Sequence, residues 1–121
     1  MSDRVLYIHI ESETSFFDRA ITSAKRLDAG LKISSPEHLS FTTYEQFTAA
    51  LSDKRMELLS VLKGLGPSSI RALSKRVARD YKSVHGDVGR LMELGLIEKR
   101  EDGLIEAPFD KIVSEIRLKA A

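Results

Sequence analysis

The sequence predicts an α+β fold: a helix-turn-helix with a β-hairpin behind it, preceded by a smaller β-α-β unit. Three observations carry this. Residues 68–94 hold two helical apolar stripes with only about three residues between them, which suits a helix-turn-helix corner. Asp102-Gly103 stands between two apolar-containing runs, 96–100 and 104–107, and Asp-Gly in that setting is a strong hairpin signal. Residues 5–42 read strand, helix, strand. The expected division is an N-terminal unit over 1–43 and a helix-turn-helix domain with hairpin and closing helix over 44–121.

Val5-Leu6-Tyr7-Ile8-His9-Ile10 is nearly continuous in β-branched and aromatic residues, as in a strand covered on both sides or used in an interface. From about Ser12 to Asp28 the period turns helical. Phe16, Phe17, Ala20, Ile21, Ala24 and Leu27 form one stripe, and Gly30 stops it. Turn residues make 33–37 a loop, and Leu39-Ser40-Phe41-Thr42 alternates as a half-buried strand does. The two strands are expected to pair within one chain. A unit this small does not fold alone. An N-terminal strand with an exposed edge is a natural dimerisation device, and a dimer built around it is expected.

Thr43-Tyr44-Glu45-Gln46 is a capping box, in which Thr43 bonds forward and Gln46 reaches back. It opens a short helix with Phe47, Ala50 and Leu51 inward. Ser52 caps the next helix, with Leu51 and Met56 spaced as a hydrophobic staple. Met56, Leu59 and Leu62 form its core stripe, and Gly64 closes it. Pro67 and then Ser68 or Ser69 open the following helix, whose inward residues are Ile70, Leu73, Val77 and Ala78. Asp110 is placed to cap a closing helix that carries Ile112, Val113, Ile116 and Leu118.

Asp80 caps the central helix, because its carboxylate accepts from the free N–H groups of the first turn. Val84, Val88, Leu91 and Gly95 fall in one narrow arc. Arg79, Lys82, Ser83, Gly86, Gly89 and Arg90 fall on the other side. A dry face and a basic face thus lie back to back, and Gly95 also fits a left-handed helix C-cap. The bland reading of the basic face is ordinary solvated surface. The helix before it and the hairpin after it favour a nucleic-acid interface.

Ser69-Ile70-Arg71, Arg79-Asp80-Tyr81-Lys82, Val84-His85, Asp87-Val88 and Leu94-Gly95-Leu96-Ile97-Glu98 carry a resemblance. Over residues 40 to 110 the chain resembles the winged helix-turn-helix regulators of the broad MarR-like group, and within it a family of DNA-binding regulators. Gly86 and Gly89 depart from that family's pattern, where longer or basic residues are common. Some members resemble antitoxins of the TumA type, encoded beside a small toxin. The resemblance implies a transcriptional regulator, an autorepressing antitoxin that binds operator DNA as a homodimer, with a small protein toxin as a second partner. The DNA-binding residues expected are Ser69, Arg71, Lys75, Arg76, Arg79, Tyr81, Lys82, Ser83, His85, Gly86 and Arg90, with Lys99 and Arg100 in the wing. The alternative is a winged-helix module that binds a protein partner without specific DNA binding.

Charge distribution agrees with the first reading. The net charge is +1, but residues 53–100 carry eleven Lys and Arg against six Asp and Glu, a net of +5. Residues 1–52 and 101–121 carry −2 each. Positive charge gathered on one motif is the footprint of a phosphate-binding face. The chain has no Asn and one Gln, Gln46, outside the motif, so the bidentate reading of adenine is closed to it.

Other chemistries are not expected. There is no cysteine, hence no disulfide and no thiolate metal site. His9, His38 and His85 lie in separate elements, so no metal cluster is foreseen. Gly64-Leu65-Gly66 follows a helix rather than a strand, which argues against a dinucleotide fingerprint. Neither a Gly-x-Ser-x-Gly element nor a Ser/His/Asp set stands out. No enzyme activity and no cofactor are expected. No apolar run approaches the roughly 18 residues of a membrane span. Only six apolar-rich positions follow Met1-Ser2-Asp3-Arg4, too few for a signal-peptide core. A cytoplasmic protein without membrane contact is the expectation.

Overall fold

The computed structural model describes residues 3–12, 14, 16–18, 20–21 and 37–118. In chain order these form β1 (Val5–Ile10), helical residues at 14, 16–18, 20 and 21 (α1), β2 (Glu37–Phe41), α2 (Tyr44–Ala50), α3 (Asp53–Leu65), α4 (Ile70–Val77), α5 (Tyr81–Glu93), β3 (Glu98–Lys99), β4 (Ile105–Glu106) and β5 (Lys111–Ile116). The class is α+β. The expected stripe residues Ala24 and Leu27, the stop at Gly30 and the loop at 33–36 lie outside the described residues. Among the described residues, no helix is long and apolar enough to cross a membrane.

Two compact units divide the described chain: residues 5–47 with 111–118, and residues 48–110 with 3–4. The boundary therefore falls inside α2 rather than at 43/44, and the C-terminal segment belongs with the N-terminal one.

The first unit is a three-stranded parallel sheet in the order β2-β1-β5. β1 pairs with β2 from Leu6 opposite Glu37 to Ile10 opposite Phe41, as the expected pairing of the two strands requires. It also pairs with β5 along its whole length, from Val5 opposite Lys111 to Ile10 opposite Ile116. Leu6, Ile8 and Ile10 are buried on one face, and Ile8 is fully enclosed. α1 begins with a bond from the Phe16 N–H to the Ser12 carbonyl.

β5 corrects two expectations. The closing helix after Asp110 is a strand, and β1 has no free edge for a dimer, because β2 and β5 occupy both sides. Ile112, Val113 and Ile116 fit a helical stripe and a strand equally in so short a segment. Three β-branched residues in six, with a full row of backbone partners waiting on β1, decide for the strand. Leu118, expected in the helical stripe, is almost wholly exposed.

The second unit is helical with a hairpin. α2 begins in the first unit, where Thr43 caps it by accepting from the Gln46 N–H at 3.1 Å and Gln46 reaches back to Thr42 rather than to Thr43. Ser52 caps α3 through the Arg55 N–H, and Ser69 caps α4 through the Ala72 N–H. α3 runs through Gly64 to Leu65 and ends on Gly66, which has a positive φ of 78°. Its buried residues are Leu58, Leu59 and Leu62, whereas Met56, expected inside, is exposed. The core is completed by Leu51, Leu73, Val84, Val88, Leu91, Leu96, Ile97 and Ile105.

β3 and β4 pair antiparallel, and Gly103 takes the left-handed turn position at φ 85°. Ser68 exchanges both backbone bonds with Ile105, adding a rung from the chain just ahead of α4. Arg4 ties the N-terminal residues to this unit. Its N–H donates to the Asp110 carboxylate at 2.8 Å, its guanidinium meets Glu98 at 2.9 Å, and it lies over the Phe109 ring.

Candidate nucleic-acid interface

α4 and α5 are separated by three residues, Ala78, Arg79 and Asp80. Ala78 makes the corner by entering the left-handed region at φ 55°, and Arg79 N–H then returns to the Ser74 carbonyl. Expected among the buried residues, Ala78 is instead exposed at the bend. Asp80 accepts from the Ser83 N–H at 2.9 Å and from its hydroxyl at 3.0 Å. Those bonds, the backbone one first, hold the Asp80 carboxyl below the ordinary Asp range. Gly95, at φ 81°, ends α5.

Val84, Val88 and Leu91 are fully buried, so the opposite arc of α5 faces solvent. At about 100° per residue, positions 85, 89, 82 and 86 fall in sequence across that arc, with 81 at one edge and 90 and 83 at the other. Gly86 and Gly89 are helical, and a Cβ added at either would meet nothing within 4 Å among the described residues. Neither backbone conformation nor packing against the described residues requires glycine there.

The structure sorts the expected site residues into two groups. Several are committed to their own fold. Ser69 Oγ caps α4, and the Ser83 hydroxyl serves Asp80. Arg79 donates to Asp87 at 2.7 Å and is only 24% exposed. Arg90 pairs with Glu93 at 3.1 Å and Arg100 with Asp102 at 3.3 Å, both at the surface. The second group is exposed: Arg71, Lys75, Arg76, Tyr81, Lys82, His85, Gly86 and Lys99. Among the described residues, no ion pair engages Arg71, Lys75, Arg76, Lys82 or Lys99. Lys75 and Arg76 also lie in the last turn of α4, where positive charge favours the helix dipole.

Arg71, Tyr81 and His85 come together. The Arg71 guanidinium lies over the Tyr81 ring, 5.1 Å from its centroid, and the His85 ring is 5.9 Å from Tyr81. The sequence placed these residues on two helices without showing that they meet.

Two further clusters escape sequence reading. Asp87 accepts from Arg79 and, at 3.1 Å, from Arg55 Nε, while Arg55 also donates to the Ala49 and Ala50 carbonyls. Nothing in the sequence shows that this one carboxylate meets two arginines. In the parallel sheet, His9 Nε2 lies 2.6 Å from His38 Nδ1 with the rings stacked. In that contact one ring nitrogen donates its N–H and the other accepts with its lone pair. Among the described residues, no group of three or more His, Asp or Glu is arranged to hold a metal ion.

A protein-family model, HVO_A0114, matches residues 50–114, more than half of the chain. The chain belongs to the HVO_A0114 family. The matched span runs from the end of α2 through the hairpin into β5, so the helical unit lies almost wholly within it. No curated protein and no solved structure matches the chain.

Proposed function

We propose that this member of the HVO_A0114 family is a DNA-binding transcriptional regulator. On this reading residues 48–110 are a winged helix, α5 enters the major groove by its N-terminal half, and β3–β4 is the wing. The observation that carries it is the outer face of α4 and α5. Four cations there, Arg71, Lys75, Arg76 and Lys82, have no ion-pair partner among the described residues, and Lys99 on β3 is a fifth.

The division of labour follows from the side chains. Arg71, Lys75 and Arg76 hold phosphates from α4, and Lys99 follows the backbone from the wing. Tyr81 and His85 face the bases, and Lys82 spans a base edge and the nearby phosphate. Gly86 and Gly89 let the helix backbone come close to the groove. Reading by so few side chains gives modest specificity per protomer, which a homodimer on a palindrome would raise. The resemblance to TumA-type antitoxins adds autorepression and a small protein toxin as partner.

The test is a gel-shift titration against the DNA upstream of the chain's own gene, at low and moderate salt, with an unrelated duplex as control. A salt-sensitive shift that prefers the upstream DNA is the expected result. No shift, or equal binding to both duplexes, would defeat the regulator reading and favour a protein-binding module.

A further inference from the structure

The committed residues leave few groups free to read a base. Ser83 is held by Asp80, Arg79 by Asp87 and Arg90 by Glu93, and Gly86 and Gly89 carry no side chain. Asn is absent, and Gln46 is bonded to Thr42 in the sheet unit. Tyr81, Lys82 and His85 remain, in the first two turns of α5.

Tyr81 is the most constrained of the three. The residue is 42% exposed, yet Arg71 lies over its ring and His85 lies beside it. A cation held against a ring face and a second ring nearby limit its rotamers. The product is a fixed apolar surface at the N-terminal end of a helix that has the geometry to enter a groove. The feature of the major groove that matches an apolar surface is the C5 methyl of thymine, which has no hydrogen-bonding capacity and is read by apolar contact.

We propose that Tyr81 is a specificity-determining residue that reads the C5 methyl of a thymine, with Arg71 and His85 as positioning residues for its ring. This rests on the DNA-binding reading above. It makes the ring, not the hydroxyl, the reading group. A hydroxyl donating to a phosphate would carry no sequence information.

The experiment uses the full chain. Duplexes are selected from a randomised pool, and the best is resynthesised with deoxyuridine replacing each thymidine in turn, which deletes one methyl and changes nothing else. At one position per half-site the wild type loses roughly fourfold or more in affinity, the value of one buried methyl. Tyr81→Phe keeps that dependence, while Tyr81→Ala binds the thymidine and deoxyuridine duplexes equally. Tyr81 is exposed and the Asp80 cap does not involve its side chain, so both variants should fold, which circular dichroism checks.

A selected site without thymine, indifference of the wild type to every deoxyuridine, persistence of the dependence in Tyr81→Ala, or its loss in Tyr81→Phe would each overturn the assignment while leaving DNA binding intact. If the wild type enriches no sequence and shows no salt-sensitive binding, the DNA-binding reading itself fails.

Discussion

Asp87 joins α5 to the start of α3 and to the corner before it, because one carboxylate accepts from both Arg55 and Arg79. Burial raises its pKa, but the hydrogen bonds and charges of Arg79 and Arg55 outweigh that and hold it below the ordinary Asp range. The folded carboxyl therefore stays ionised to lower pH than the unfolded one. Its stabilisation is full above the unfolded value, about pH 4, and is lost as pH falls through the folded value. Asp87→Asn should lower stability at pH 7 and flatten the fall between about pH 4 and the folded value, as followed by urea unfolding. Asp87→Ala should cost about 2–3 kcal/mol at pH 7, less than for a fully buried pair because all three side chains keep some solvent. Ala78 offers the opposite case. It is the one described non-glycine residue with positive φ. Ala78→Gly should stabilise by about 1 kcal/mol, read as a raised urea midpoint, since glycine enters that region without a Cβ clash.

At the scale of elements, α5 contains two interior glycines that its own packing does not need. Each costs about 1 kcal/mol against alanine. With open space at both Cβ positions, Gly86→Ala with Gly89→Ala should raise stability by about 1–2 kcal/mol in thermal or urea unfolding. The same pair should weaken DNA binding in the gel shift, because two methyl groups would stand between the helix and the groove. A stabilised double variant with unchanged affinity would mean that the backbone is not closely approached.

What was legible in this unit was local. Ser52, Ser69 and Asp80 cap their helices because a cap and its N–H partner lie three residues apart, and Asp-Gly closes the hairpin for the same reason. What was not legible was distant in sequence. β5 owes its state to β1, more than a hundred residues earlier, and the His9–His38 contact needs two strands in register. Within the candidate interface the basic residues could be named, but not which were already paired. That depends on Asp87 and Glu93 turning toward particular arginines, and on Ala78 bending the chain where no glycine announces it.

At the scale of the whole molecule, a net charge of +1 says little, because −2 at each end masks +5 in the middle. On the DNA-binding reading it is this local charge that counts, and the cations outside ion pairs carry it. If Arg71, Lys75, Arg76, Lys82 and Lys99 each meet one phosphate, log K should fall against log salt with a slope of about −4.5 for one protomer on DNA and about −9 for two. The slope thus reports how many copies sit on the site as well as which cations act. Lys82→Ala should make it shallower by about 1 per protomer. Arg90→Ala should leave it nearly unchanged, because that arginine is already matched by Glu93. Equal changes from the two substitutions would mean that the Arg90–Glu93 pair opens on DNA, and the phosphate-contacting face would then extend one turn further along α5.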